Sequence, residues 1–192
     1  MVYEYDQNWH GNQVPTLTEK FLPLWEGRKG LRVLEIGSFE GRSTKWWLEN
    51  LDVSKMVCVD NWEGGVEHAL VDMDAVFNNF KENVGDEVET RKGNSHDKLM
   101  EMVLEGTHEF DFIYVDGSHM GKDVMFDAFL ADRMLVPGGI MLFDDYQWPA
   151  QYPAHHKPKQ AIDFFFNMYL DYYENVYVAY QACIRKKKKM DA

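Results

Sequence analysis

In this 192-residue chain Asp116, Asp144, Asp145 and His119 form a set of acids and one imidazole suited to acting on a common substrate. The runs Phe110-Asp111-Phe112-Ile113-Tyr114-Val115-Asp116 and Ile140-Met141-Leu142-Phe143-Asp144-Asp145 are largely apolar and end in carboxylates. As adjacent parallel strands they would deliver those carboxylates to one cleft at the sheet's carboxyl edge. Three carboxylates so close repel one another unless a cation holds them. An all-oxygen set suits Mg²⁺ or Ca²⁺ rather than zinc. Such a cation could bind two neighbouring substrate hydroxyls and lower the pKa of one. His119 follows Asp116 by three positions, on the loop leaving the same strand, and an imidazole there can take the hydroxyl proton near neutral pH. The plainer reading is that one or two of the aspartates cap turns and that the histidine is incidental.

A scaffold that ends several strands on one edge is needed to bring these groups together. Leu31 to Ile36 is an apolar run, Gly37-Ser38-Phe39-Glu40-Gly41 a glycine turn, and Ser43 to Asn50 a helical pattern. Strand, glycine turn and helix in that order form the first unit of a nucleotide-binding α/β fold. Gly37 and Gly41 let the backbone turn sharply and approach a ligand. The N–H groups opening the following helix can hold an anionic group, and Glu35 stands at the strand's carboxyl end. The spacing Gly37-x-x-x-Gly41 lacks one glycine of the dinucleotide pattern G-x-G-x-x-G, which disfavours a nicotinamide-dependent oxidoreductase. Lys55 to Asp60 reads as a second strand. Its terminal Asp60 is placed to accept hydrogen bonds from ribose hydroxyls, or else caps a turn. Asn61 and Trp62 follow, and Trp62 either lies against a base or is ordinary packing. Gly93-Asn94-Ser95 after a weak third strand, Val88 to Arg91, can border an adenine edge or act only as a turn and N-cap.

The remaining pattern alternates in the same way. Helices are expected over Thr16 to Trp25 (Phe21, Leu22 and Trp25 on one face), over Val66 to Val84, and around Leu99, Met100, Val103 and Leu104, with Met100 filling the core. Others are expected at Lys122 to Met134 and Gln160 to Tyr173, and closing strands at Asn175 to Ala179 and Gln181 to Arg185. Together these give an α/β, Rossmann-like, doubly wound seven-stranded sheet, mostly parallel with an antiparallel last strand and helices on both faces. One domain is expected over 1–192: a helical segment (1–30) over the cleft or the sheet, the core (31–186) and a basic tail (187–192).

A net charge of −12 argues against a nucleic-acid surface. Lys186 to Lys189 read as a solvated tail. Cys58 and Cys183 fall inside expected strands and read as reduced core residues, which fits a cytoplasmic protein. No signal peptide or membrane-spanning run is visible. His155 and His156 lie in a Pro-rich segment and read as lid or surface, while His96 and Asp97 read as a helix start. Assembly into a homo-oligomer stays open.

The segments Glu35-x-Gly37-Ser38-Phe39-Glu40-Gly41-Arg42-Ser43, Asp116-Gly117-Ser118-His119 and Pro137-Gly138-Gly139…Asp144-Asp145-Tyr146 resemble the class I S-adenosylmethionine-dependent methyltransferases. Within that class the chain is most similar to the small metal-dependent O-methyltransferases of the catechol and macrolide-sugar types, over about residues 31–186. The resemblance implies S-adenosylmethionine and Mg²⁺ as cofactors and a small-molecule acceptor, a sugar or catechol-like polyol. It places Glu35, Gly37, Ser38, Gly41 and Ser43 in the donor pocket, with Ser43 on the methionine carboxylate. It also puts Asp60, Asn61 and Trp62 near the ribose and base, Asn94 and Ser95 at the adenine, Asp116, Asp144 and Asp145 on the metal, and His119 as the general base beside Asp116. Asp60 is shorter than the Glu of the catechol type, and that type has a lysine where His119 stands. A non-catalytic, cofactor-binding partner of the same fold is the competing reading; it gives no reason for Asp116, Asp144, Asp145 and His119 to occur together.

Overall fold

The computed structural model describes residues 10–65, 68–106, 109–149 and 151–187. Seven runs pair as strands: β1 (Leu31–Ile36), β2 (Val53–Asp60), β3 (Glu89–Lys92), β4 (Phe110–Val115), β5 (Leu135–Phe143), β6 (Tyr173–Val178) and β7 (Ala182–Lys186). They form one sheet in the order β3-β2-β1-β4-β5-β7-β6. The first five are parallel, and β7 runs antiparallel to both its neighbours, β5 and β6. The helices are α1 (Val14–Thr16), α2 (Arg42–Asn50), α3 (Met73–Val84), α4 (Ser95–Glu105), α5 (Gly121–Met134) and α6 (Pro158–Met168). This is the expected doubly wound fold.

Side chains alternate across the strands, so the sheet feeds two cores. Leu34, Ile36, Val57, Val59, Ile113, Val115, Met141 and Phe143 pack under α4, α5 and α6. Val33, Met56, Cys58, Phe112, Tyr114, Ile140, Leu142 and Cys183 face α2, α3 and the N-terminal segment. Both cysteines are buried and free. From Val14 to Trp25 the chain winds through α1, a wider π-type turn and a 3-10 turn, with Pro15 and Pro23 near the starts of the first and last of these pieces. Its Phe21 ring lies 4.8 Å from Phe112 and 5.3 Å from Trp47, so this segment packs on the sheet.

Several sequence expectations shift here. The helix expected over 66–84 begins only at Met73, because Asp72 caps it by accepting from the N–H groups of Asp74 and Ala75; residues 66 and 67 lie outside the described residues. On α4 the buried face is Leu99 and Met102, whereas Met100 and Leu104 are exposed, so Met100 does not fill the core. Lys188 and Lys189 of the basic run also lie outside the described residues. Among the described residues no helix is long and apolar enough to cross a membrane.

Strand register sets the site. Ile36 pairs with both Val59 and Val115, Val115 with Phe143, and Asp60 with Lys92. The loops after β1 to β5 therefore leave along one edge, and the strand order reverses between β1 and β4. Ligands of open α/β sheets bind in the crevice at such a reversal. There, a Cβ on Gly37 would stand 2.0 Å from the Asp116 carbonyl oxygen, and its φ is +88°. Only glycine fits so close an approach of two strand tips.

Candidate active site

Asp116, Asp144, Asp145 and His119 do meet on this edge. Asp145 is 8% exposed and takes a left-handed backbone, φ +55°, a conformation that costs a non-glycine residue roughly 1–3 kcal/mol. Its side chain is held on both oxygens. The Tyr180 hydroxyl donates to Oδ1 at 2.7 Å, and His119 Nε2 stands 2.7 Å from Oδ2. The turn closes with the Trp148 N–H donating to the Asp145 carbonyl at 2.9 Å. That closure lays the indole flat on the His119 ring, centroids 3.9 Å apart and planes 23° from parallel. An imidazole fixed by a carboxylate on one nitrogen and by an aromatic face is oriented as general bases are.

Asp144 sits behind this pair. The Tyr114 hydroxyl donates to its Oδ2 at 2.6 Å, and the Asp145 N–H to its Oδ1 at 2.9 Å. Burial, with the Asp145 charge adding to it, pushes the Asp144 carboxyl up to about 6. Burial first, then Asp144 and Asp145, raises Asp116 well above the ordinary carboxylate range. Among the described residues no three His, Cys, Asp or Glu side chains are arranged to hold a metal ion. Asp116, Asp144 and Asp145, the expected metal ligands, stand together at the tips of β4 and β5. The three are close enough to repel, but Asp145 is turned to His119 and Tyr180, and Asp144 to Tyr114.

On the donor side several of the expected cofactor residues also make contacts within the protein. Glu35 is 0% exposed; it accepts from the Thr44 hydroxyl and from Trp47 Nε1. Burial raises its pKa, and the Thr44, Ser43, Ser38 and Trp47 donors oppose that rise. It braces β1 against α2, and Ser43, buried beside it, faces the same way. Asp60 clamps the glycine turn: its Oδ2 accepts from the N–H groups of Ser38 and Phe39, both at 2.9 Å, and its Oδ1 from Trp62 N–H at 2.7 Å. Trp62 is 2% exposed and packs on Phe77 and Phe80, ring centroids 4.6 and 4.8 Å away, so it is core. Asn61 closes its own turn by accepting from Glu63 N–H. Asn94 caps α4 by accepting from His96 N–H at 3.0 Å. Gly41, φ +80°, opens α2, and a Cβ there would meet Val84 at 2.9 Å, so close helix packing already requires it.

The crevice nonetheless suits an anionic, hydroxyl-bearing ligand. The start of α2 has no side-chain cap, so its first N–H groups can take a carboxylate. The Ser38 hydroxyl is buried at the turn, beside Glu35. Tyr114, Trp148, Tyr180 and Gln181 were not foreseen as site residues. A tyrosine two positions before Asp116 in an apolar strand was the one local clue; Tyr180 and Gln181 arrive from the β6–β7 turn, and no local pattern marks that. His155 and His156 meet edge to face, ring centroids 4.4 Å apart, in the turn before α6.

A seven-stranded sheet in this order, with a glycine turn after β1 and acidic tips on β4 and β5, defines the class I S-adenosylmethionine-dependent methyltransferase fold. A family model described as a methyltransferase domain matches residues 34–146, and the chain belongs to that family. An uncharacterised protein of Acanthamoeba polyphaga mimivirus is 30% identical over 133 residues, or 66% of this chain and 58% of its own length. The O-methyltransferase from Bacillus cereus, solved with SAH (S-adenosylhomocysteine), is 22% identical with a TM-score of 0.63, covering 97% of this chain and 84% of its own. MycE methyltransferase from the mycinamycin biosynthetic pathway, solved with Mg and SAH, is 16% identical with a TM-score of 0.67, over 93% of this chain and 49% of its own. The chain thus spans only about half to three fifths of the viral relative and of MycE.

Proposed function

We propose that this chain transfers a methyl group from S-adenosylmethionine to a hydroxyl of a small acceptor, a sugar or catechol-like polyol. The observation that carries the reading is the His119–Asp145 contact of 2.7 Å at the strand-reversal edge, with Tyr180 on the other Asp145 oxygen. The bound donor supplies an activated methyl carbon. The acceptor oxygen forms the new C–O bond as the C–S bond breaks, so the protein's share is to align the partners and remove the hydroxyl proton. His119 takes that proton, and Asp145 stabilises the imidazolium that results. The uncapped start of α2 and the Ser38 hydroxyl would receive the methionine end of the donor, with Gly37 and Gly41 shaping the turn.

A hard divalent cation such as Mg²⁺ is part of the proposal. Asp116, Asp144 and Asp145 would hold it, and it would polarise the acceptor oxygen and relieve the repulsion that adds to burial in raising Asp116 and Asp144. The acidic balance of −12 favours a small acceptor over nucleic acid.

Calorimetric titration with S-adenosylhomocysteine, with Mg²⁺ and then with chelator, is the first test. One-to-one binding is expected, and a Mg²⁺ heat that vanishes in Asp144→Asn. No S-adenosylhomocysteine binding in either condition would overturn the methyltransferase reading. A panel of sugars and catechols, scored by the mass gain of one methyl, then identifies the acceptor.

A further inference from the structure

A second polar cluster lies behind the site, between α4 and α5, and no step above uses it. Asp127 on α5 is 1% exposed, and apart from the nearby Ser95 hydroxyl no donor reaches its carboxylate. His96 on α4 has a buried Nε2 with no partner, 3.8 Å from Asp127 Oδ1 and 3.9 Å from Asp123 Oδ1. Asp123 in turn accepts from the Ser118 hydroxyl at 2.9 Å, and Ser118 Oγ accepts from the Met120 N–H at 3.1 Å. The other Asp127 oxygen lies beneath Gly117, where a Cβ would come within 3.7 Å of it.

A buried carboxylate with so few hydrogen bonds costs stability unless something of opposite charge sits near it. The ionisable groups facing Asp127 are His96 from α4 and Asp123 from its own helix, and the Ser95 hydroxyl also lies near. Among these the Ser95 hydroxyl can donate to the carboxylate, and His96 is the one group able to carry an opposite charge. The chain of contacts runs from Asn94 and His96, at the start of α4, through Asp127 and Asp123 to Ser118, beside His119. It therefore joins the loop after β3 to the loop after β4.

We propose that His96 and Asp127 are positioning residues, a buried polar staple that fixes the β3–α4 loop against the β4–α5 loop. Within the methyl-transfer reading, on which this rests, the staple sets the spacing between the adenine end of the cofactor site and the base that receives the acceptor proton. Neither residue touches the reacting atoms. A displacement of about 1 Å in such a constellation can cost about a hundredfold in rate.

The test uses the full chain with Asp127→Asn, His96→Ala and the double variant. Hydrogen exchange is followed over residues 94–98 and 116–121, S-adenosylhomocysteine affinity by calorimetry, and the thermal midpoint at pH 7. Each single variant should speed exchange in both loops and weaken S-adenosylhomocysteine about tenfold. The double variant should add little to either, since two halves of one contact do not sum. The Asp127→Asn midpoint should not fall, because the amide keeps the shape and removes a buried charge; a purely structural role predicts a drop. Unchanged exchange in both loops, or additive effects in the double variant, overturns the staple. Failure of the wild-type chain to bind S-adenosylhomocysteine overturns the methyltransferase reading instead, and the exchange data then decide the staple by themselves.

Discussion

Replacing Asp60 with Ala separates a structural clamp from a ligand contact. In the described geometry three backbone N–H groups, from Ser38, Phe39 and Trp62, end on this one carboxylate at 2.9, 2.9 and 2.7 Å. Hydrogen bonds to an ionised acceptor contribute about 1.5–3 kcal/mol each, and a shared, part-buried acceptor belongs at the low end, with incomplete additivity. The loss should be about 3 kcal/mol. For a domain of this size that lowers the thermal midpoint by roughly 6–12 °C. Phe39 and Trp62, at φ +47° and +49°, sit in backbone conformations that need such support. The assay is thermal and urea unfolding of the ligand-free protein, followed by S-adenosylhomocysteine titration. An unchanged midpoint together with lost binding would refute the clamp and leave the ribose contact as the role of Asp60. A fall in both supports the clamp, since a loosened turn binds poorly.

Three further outcomes follow from the same geometry. His119→Ala should cut turnover about 10²–10⁴-fold with S-adenosylhomocysteine affinity unchanged, as steady-state kinetics and calorimetry would show, and unchanged turnover would remove it from the mechanism. Gly37→Ala should yield little folded protein, because its Cβ would stand 2.0 Å from a backbone oxygen at φ +88°; a variant with wild-type melting behaviour would contradict the close approach. Burial raises Asp127 from 3.8 to about 6, so the native state holds that proton to higher pH than the unfolded chain, and stability is lost as pH climbs through this window. Asp127→Asn should therefore gain on the wild type between pH 4 and 7, by at most about 3 kcal/mol, and a pH-independent difference in urea unfolding would refute the shift.

The scaffold and its active edge can be read from residue order alone. Apolar runs ending in Asp116 and in Asp144-Asp145, with the turn from Gly37 to Gly41, were legible because strand burial, turn chemistry and helix periodicity are local properties. They placed His119 beside its carboxylates without any knowledge of the packing. Which carboxylate serves which partner was a tertiary decision. Glu35 and Asp60 end strands as ligand-binding acids do, yet Glu35 is sealed behind Thr44 and Trp47, and Asp60 is turned onto the glycine loop. Trp62 became core because Phe77 and Phe80 of α3 reach it, and Met100 became surface because α4 turns Leu99 and Met102 inward. Tyr180 reaches Asp145 from 35 residues further along the chain. Side-chain direction depends on which elements pack nearby, and those contacts are distant in sequence, so residue types and spacing cannot specify them.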